Sequence, residues 1–315
     1  MKKNLHFVYC FDDGYNRQGF TSIFSLLENI DRQIIINIIH PSSNLEKLIP
    51  NLILDHKNLK KIIIHKFNHK INHFPNLGYG HVSEATYYRL FLNEFIDDEV
   101  DNLIYLDADV LCLKNPLEEI EKSIDDLKHS NFIISAKTEY QFSKENEDII
   151  RLRKKGSYFN AGVMIINFDL WKSKQIDQKL LEHMKLIENE IKYWDQDVLN
   201  SYFDEKYFSM NQYLNFNIST DKELVFKNPS EIENIYFLHF SGNLKPWTIE
   251  GSFNVFSEYY HFYYRSLYKP NYHITSKWRL NTLIFLLKNI FNLKIFKLKH
   301  PFSFIKENLI VIFFS

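Results

Sequence analysis

The chain alternates between short apolar runs of strand character and longer stretches whose apolar positions recur at helical spacing. Residues 4–11 read as a buried first strand that ends at Asp12-Asp13-Gly14-Tyr15. A helical pattern follows from about Gln18 to Asn29, with Phe20, Ile23, Phe24 and Leu27 on one face. Next come a strand over 34–40, a helix over 45–54 and a strand over 62–66. This alternation predicts a parallel sheet covered by helices on both sides. In such sheets, ligands bind beyond the carboxyl ends of the strands. Further along, 81–95 reads as a helix carrying Arg89, 103–111 as a strand, and Pro116 to about Leu127 as an acidic helix, followed by a strand over 132–136. Residues 139–157 are charged and poorly periodic, which suits a loop. Strand character resumes over 158–167, where Gly162 suggests that something approaches the backbone closely. Residues 170–192 look helical, Trp194-Asp195-Gln196-Asp197 opens another helix, and a last strand over 235–238 runs into a segment from His239 to Trp247.

The run from Leu103 to Leu106 delivers two carboxylates one residue apart. Within a strand, side chains at i and i+2 share a side, so Asp107 and Asp109 are expected to face together. Two such carboxylates repel unless a cation sits between them. A hard divalent ion such as Mg²⁺ or Mn²⁺, its shell completed by phosphate oxygens, is the natural neutraliser. Taken alone, the tripeptide more often marks an acidic turn that solvates its own charges. Asp12 and Asp13 stand at another strand end and could meet the pair there. The remaining candidates also have plain readings. Asp195 and Asp197 suit the first turn of any helix, His239 suits a core histidine with a hydrogen-bond partner, Arg89 a solvated helix charge, and Lys245 a surface loop.

Composition narrows the class. With 315 residues and 45% hydrophobic content, the chain can bury one large core or two smaller ones. Its 16% aromatic content argues against disorder. A net charge of -1 excludes a nucleic-acid binder on overall charge. Residues 277–315 nevertheless carry seven Lys/Arg against one acid, which leaves the rest of the chain acidic. Lys277, Lys288 and Lys299 recur every eleven residues and would share a helix face, with Leu280, Leu283, Ile284, Leu287 and Phe291 on the other. Such a helix suits an anionic membrane surface; the alternative is a helix docked on the body. Cys10 and Cys112 show no metal-ligand spacing and read as buried free thiols of a reducing compartment. No signal-peptide pattern opens the sequence, and no apolar run approaches the ~18 residues that span a bilayer. A cytoplasmic protein, soluble or peripheral, is expected.

Several motifs in register then resemble the retaining glycosyltransferases of family 8, and in particular their bacterial lipopolysaccharide and lipooligosaccharide α-galactosyl- and α-glucosyltransferase branch. They are Asp12-Asp13-Gly14-Tyr15, the segment His81 to Leu90 with Arg89, Asp107-Ala108-Asp109, Phe159-Asn160-Ala161-Gly162-Val163, Asp195-Gln196-Asp197, and His239 to Trp247 with Gly242 and Lys245. The resemblance implies an α/β GT-A fold, a Rossmann-like mixed sheet flanked by helices over 1–250, with an aromatic and basic helical extension over 251–315. It implies transfer of galactose or glucose from a UDP-hexose to a lipid-linked oligosaccharide, forming an α-linkage with Mn²⁺ or Mg²⁺. Asp107, Asp109 and His239 would hold the metal, and Lys245 with Gly242 would attend the diphosphate. Asp12 and Tyr15 would bind uracil and ribose, although Gly14 stands where relatives often have Asn. Arg89, Asn160 and Asp195 would grip the donor sugar, Ala108 and Ala161 would lie beside the donor, and Gln196 would face the anomeric carbon. Catalysis would rest on Gln196 and Asp195. His81 and the 139–157 loop are the candidates for acceptor contact. The basic tail would keep the enzyme on the inner face of the bacterial inner membrane. Two other functions fit the same motifs: a transferase for a glycoprotein or self-glucosylating primer, and a non-catalytic nucleotide-sugar binder.

Overall fold

A computed structural model describes residues 4–69, 74–77, 83–141, 157–219, 221, 223, 228–242, 245–275 and 280–314. Strands β1 (His6–Cys10), β2 (Ile34–His40), β3 (Leu59–Lys66) and β4 (Asn102–Leu106) pair in parallel. Three more follow: β5 (Val110–Cys112), β6 (Ile134–Gln141) and β7 (Ser157–Asn167). The last three strands are β8 (Phe208–Ser209), β9 (Phe216–Asn217) and β10 (Phe237–His239). A seven-stranded sheet runs in the order β3-β2-β1-β4-β7-β6-β8, and β7 lies antiparallel to both β4 and β6, so the sheet is mixed. The order reverses beside β1, which opens a crevice past the ends of β1 and β4.

Both faces of the sheet are buried, as near-continuous apolar strands require. Phe7 and Tyr9 point into one core with Ile104 and Leu106, while Val8 and Cys10 point into the other with Leu103 and Tyr105. Helices α1 (Asn16–Asn29) and α2 (Leu117–His129) cover the first face. The second is covered by residues 84–96 and by α3 (Ile176–Leu186) and α4 (Trp194–Tyr202). Cys10 and Cys112 are free and buried.

A small second sheet in the order β5-β10-β9 crosses the end of the first. Its β10 brings His239 against β7 so closely that a Cβ on Gly162 would lie 2.3 Å from His239 Cε1 and 2.9 Å from Asp107 Oδ2. The close approach read from Gly162 is therefore that of the His239 ring and the Asp107 carboxylate. Past β10 the chain turns at Gly242, whose φ of 76° suits glycine.

Several expected elements are shorter or broken. The stretch over 103–111 is two strands, because Val110 N–H bonds Asp107 O at 3.1 Å and closes a turn. Asp107 and Asp109 are thus gathered by a turn rather than by strand alternation. The 45–54 helix splits into a 3₁₀ turn, Leu45–Leu48, and one α turn, Asn51–Leu54, around Pro50, which has no N–H to give. Over 84–91 the helix is 3₁₀, and His81 lies outside the described residues. The 170–192 stretch breaks at Gln175, in the left-handed region. Residues 139–141 extend β6, and 142–156 lie outside the described residues.

After α5 (Ser257–Leu267), which packs into the first core, come α6 (Leu280–Phe291) and α7 (Pro301–Phe314). Leu293, at φ 56°, ends the first of this pair, so Lys288 and Lys299 do not share one continuous helix face; Lys299 lies between the helices, 3.4 Å from Glu258. Lys277 lies outside the described residues. Leu286, Ile295 and Phe304 dock on Ile249, Tyr272 and Ile274, while Leu283, Ile284, Leu287 and Phe291 face outward. One side of the tail is docked and the expected apolar stripe is exposed. Among the described residues, no helix is long and apolar enough to cross a membrane.

The tight β7–β10 contact makes a prediction. Gly162→Ala forces β10 and the His239 ring away from β7, which should cost ~1–3 kcal/mol by overpacking. Urea denaturation measures it, and a wild-type midpoint would mean that the two sheets part freely.

Candidate active site

Past the ends of β1 and β4 lies a cavity of about 470 Å³. Asp12 and Tyr15 line it after β1, Asp107 to Asp109 after β4, Asn160 from β7, Asp195 and Gln196 from the first turn of α4, and His239, Gly242 and Lys245 after β10. Arg89 lines it as well. Asp13 and Asp197 do not line it, nor does Ala161, whose backbone instead receives Arg89 Nη1 at 2.6 Å and gives its N–H to Gln196 Oε1 at 3.0 Å.

Arg89 is 5% exposed and lies between two of the carboxylates. Its Nε stands 2.6 Å from Asp195 Oδ2 and its Nη2 3.2 Å from Asp107 Oδ1, with the Tyr105 ring 4.4 Å below the guanidinium. Burial works against the Arg89 charge, but Asp107 and Asp195 outweigh it and hold its pKa above the usual value. Tyr105 and Thr86 complete the arrangement, donating to Asp107 Oδ1 at 2.6 Å and to Asp195 Oδ1 at 2.5 Å. Burial raises the Asp195 carboxyl to about 6, with Arg89 and Thr86 pulling the other way.

Asp109 is balanced from the opposite side. Lys245 Nζ is bonded to Asp109 Oδ2 and also donates to Phe240 O at 2.7 Å. Burial alone would raise the Asp109 carboxyl, yet the Lys245 ammonium beside it drives it well below the carboxylate range. The plain readings of Arg89 and Lys245 as solvated charges do not hold, since both are buried.

Ligand atoms of Asp107, Asp109 and His239 lie within 4.8 Å of one another. His239 Nε2 stands 3.3 Å from Asp109 Oδ1 and 3.9 Å from Asp107 Oδ2. Buried Asp109 Oδ1 makes no hydrogen bond among the described residues. An unsatisfied carboxylate oxygen beside a second carboxylate and an imidazole nitrogen is a donor set that fits a divalent cation.

The first turn of α4 separates two carboxylates. Asp197 Oδ2 accepts the N–H groups of Lys192 and Tyr193 at 2.7 and 2.8 Å, so it caps the turn as a helix-terminal acid. Asp195 faces Arg89 and the cavity. Between them, Gln196 donates Nε2–H to Tyr158 Oη at 3.1 Å, and Tyr158 in turn donates to Asp197 Oδ1 at 2.8 Å. Asp12 accepts its own turn's Gly14 N–H at 3.0 Å, and the Tyr15 ring meets Trp247 edge-on at 5.8 Å.

Sequence reading passed over Thr86, Tyr105, Tyr158, Asn215 and Asn217, and took Glu139 only as part of the 139–157 loop. Thr86 and Tyr105 lie three and two residues before Arg89 and Asp107, spacings that place them on shared faces. Glu139 lines the cavity at the start of the stretch read as a loop, and burial raises its carboxyl. Asn215 and Asn217 carry no local signal beyond the alternation Asn-Phe-Asn, because Asn215 meets Asn160 of β7 and His239 of β10, and Asn217 meets Glu139 of β6 and Ser241.

This arrangement has relatives. General stress protein A of Bacillus subtilis is 27% identical over 82% of this chain and 92% of its own. The lipopolysaccharide 1,3-galactosyltransferase of Salmonella typhimurium is 31% identical, over 56% of this chain and about half, 52%, of that protein. Among solved structures, the galactosyltransferase LgtC in complex with donor and acceptor sugar analogues superposes with a TM-score of 0.70 over 84% of this chain and 96% of that one, at 22% identity. This likeness shows the fold, a GT-A mixed sheet flanked by helices. Residues 6–251, which carry the cavity and every side chain placed around it, match the family model described as glycosyl transferase family 8, and the chain belongs to that family.

Proposed function

We propose that the chain moves galactose or glucose from a UDP-hexose to a lipid-linked oligosaccharide of the lipopolysaccharide or lipooligosaccharide type, with retention and formation of an α-linkage. The observation that carries this reading is the convergence of Asp107, Asp109 and His239 beside the Arg89–Asp195 pair in one cavity. Names among the relatives support the acceptor class: the Salmonella protein and an Escherichia coli lipopolysaccharide 1,2-glucosyltransferase, 26% identical over 75% of this chain, act on lipopolysaccharide.

In this reading Asp107, Asp109 and His239 hold Mn²⁺, or Mg²⁺. The bound ion supplies Lewis-acid stabilisation of the charge that develops on the departing diphosphate. Lys245 adds a fixed positive charge for the same diphosphate, and Gly242 lets the backbone come near it. Asp12 and Tyr15 hold uracil and ribose, with Ala108 and Ala161 lining the donor's course. Arg89, Asn160 and Asp195 orient the sugar hydroxyls. The bond from the anomeric carbon to the phosphate oxygen breaks while the acceptor oxygen attacks from the same face, and the departing UDP takes the acceptor proton. Gln196 is a carboxamide, a feeble nucleophile, and its amide is held at both ends by Ala161 N–H and Tyr158 Oη. It stabilises the oxocarbenium-like centre electrostatically rather than by a covalent bond.

Residues 1–250 form the catalytic part and 251–315 the attachment part. The outward Leu283, Ile284, Leu287 and Phe291 stripe, with Lys288 on the same helix, holds the enzyme peripherally on the anionic inner face of the bacterial inner membrane.

Three outcomes test this reading. UDP release from a panel of UDP-sugars without acceptor should be slow, Mn²⁺-dependent and confined to one UDP-hexose. Asp109→Asn should lower it by roughly 10²–10³-fold, and no turnover with no UDP binding would overturn the transferase reading. Because the carboxylate form of Asp195 is the one that accepts sugar hydroxyls, kcat/KM should rise with pH through about 6. Thr86→Val removes a donor that favours the ionised form, so it should move that limb to higher pH; an unmoved limb would exclude Asp195 as its source. Phe291→Glu, on a side chain 82% exposed, should weaken sedimentation with anionic vesicles while leaving UDP-hexose hydrolysis intact. Unchanged sedimentation would discard the membrane role of α6.

A further inference from the structure

Three buried side chains, two of them in the cavity wall, are joined in a line whose hydrogen bonds leave one choice at each step. Asn160, Asn215 and His239 are 4%, 0% and 3% exposed, so water does not offer alternative partners. The line starts at a backbone group: Gly162 N–H lies 2.9 Å from the Asn160 side chain. A backbone N–H only donates, so the Asn160 atom it meets is the carbonyl oxygen, Oδ1. The Asn215 amide lies 3.0 Å from that same oxygen, and two amide oxygens do not bond, so Asn215 presents Nδ2 to it. Its other end, Oδ1, then faces His239 Nδ1 at 3.0 Å and can only accept. His239 therefore carries its proton on Nδ1. In the neutral ring the lone pair belongs to Nε2, the nitrogen that faces Asp109 Oδ1 and Asp107 Oδ2.

We infer that Asn215 is a positioning residue that selects the cation-ligating tautomer of His239, by a relay that begins at the Gly162 N–H. The same relay turns Asn160 so that its Nδ2 faces the Glu139 carboxylate, at 3.4 and 3.5 Å. One relay thus orients a candidate metal ligand and a candidate sugar contact together. Ligating histidines generally have the other ring N–H committed to an oxygen, which fixes the ring and raises its basicity. Here that oxygen is an amide whose own orientation is fixed two bonds back.

The consequence for metal affinity rests on Asp107, Asp109 and His239 being the cation ligands; the tautomer does not. The first measurement is therefore made without metal. In the full chain labelled with ¹⁵N-histidine, with the pH raised until the His239 signals are those of a neutral ring, long-range ¹H–¹⁵N correlation should show a protonated Nδ1 and an unprotonated Nε2. The signal is identified by its absence in His239→Gln. The opposite tautomer, or a mixture of the two, would overturn the inference.

The second measurement is Mn²⁺ binding by calorimetry in the presence of UDP. Asn215→Leu keeps the side-chain size but offers no acceptor, and should weaken Mn²⁺ binding ~10–100-fold. Asn215→Asp keeps the acceptor for His239 Nδ1–H while losing the donor to Asn160 Oδ1, so it should retain the Nδ1-protonated ring and lose less Mn²⁺ affinity than Asn215→Leu. Wild-type affinity in Asn215→Leu, or equal losses in both variants, would reduce Asn215 to packing. Should Asn215→Leu fail to fold, the wild-type spectrum and Asn215→Asp still decide. Failure of the wild type to bind Mn²⁺ would instead remove the metal assignment and leave the tautomer result standing.

Discussion

Three carboxylates are held at the edge of a dry core, where an uncompensated charge is expensive. Asp107 and Asp109 leave β4 on adjacent sides of one turn, and Asp195 meets them from α4. Two fixed cations reach them from elsewhere in the chain, Arg89 between Asp107 and Asp195 and Lys245 on Asp109. Removing one partner of such a buried pair costs about 3–5 kcal/mol, because the other charge is left stranded. The cluster therefore constrains everything around it, including the 3₁₀ segment that carries Arg89 and the turn at Gly242 that returns Lys245. The three carboxylates outnumber the two fixed cations, which suits a site that receives a further positive charge.

The small β5-β10-β9 sheet is the element that completes the site. It supplies His239 from β10, and the segments leading into β9 and out of β10 supply Asn215 and Lys245. Its close approach to β7 is possible only because Gly162 has no side chain. That residue serves twice, since its missing Cβ admits the His239 ring and its N–H begins the relay through Asn160 and Asn215. Packing and hydrogen bonding are thus set by the same few atoms. The first turn of α4 shows how finely environment divides chemically identical groups: Asp197 is spent on two backbone N–H groups, while Asp195, two residues earlier, is turned to Arg89 and the cavity.

The tail reconciles two readings that the sequence offered as alternatives. Its helices dock through Leu286, Ile295 and Phe304, yet turn Leu283, Ile284, Leu287 and Phe291 outward. The eleven-residue lysine repeat did not survive as one face, because Leu293 enters the left-handed region and ends α6. Sequence periodicity carries no information about where such a break falls unless glycine or proline marks it.

Much of the architecture was legible beforehand. Apolar runs located β1, β2, β4, β7 and β10, and helical spacing located α1 and the acidic α2, because backbone conformation answers to near neighbours. The motif residues were legible too, and those the resemblance assigns to donor and metal line one cavity apart from Ala161. What the sequence could not express was partnership. That Lys245 rests on Asp109, that Arg89 pairs with Asp195, and that Asn215 stands between Asn160 and His239 are relations across tens of residues or more. They follow from the register of β7 on β4 and of β10 on β5, and from a second sheet crossing the first at a glycine. Local pattern determined which elements form and which residue types the site contains. Tertiary structure alone decided which donor meets which acceptor, because a buried polar atom is defined by the neighbour that satisfies it, and that neighbour comes from a distant part of the chain.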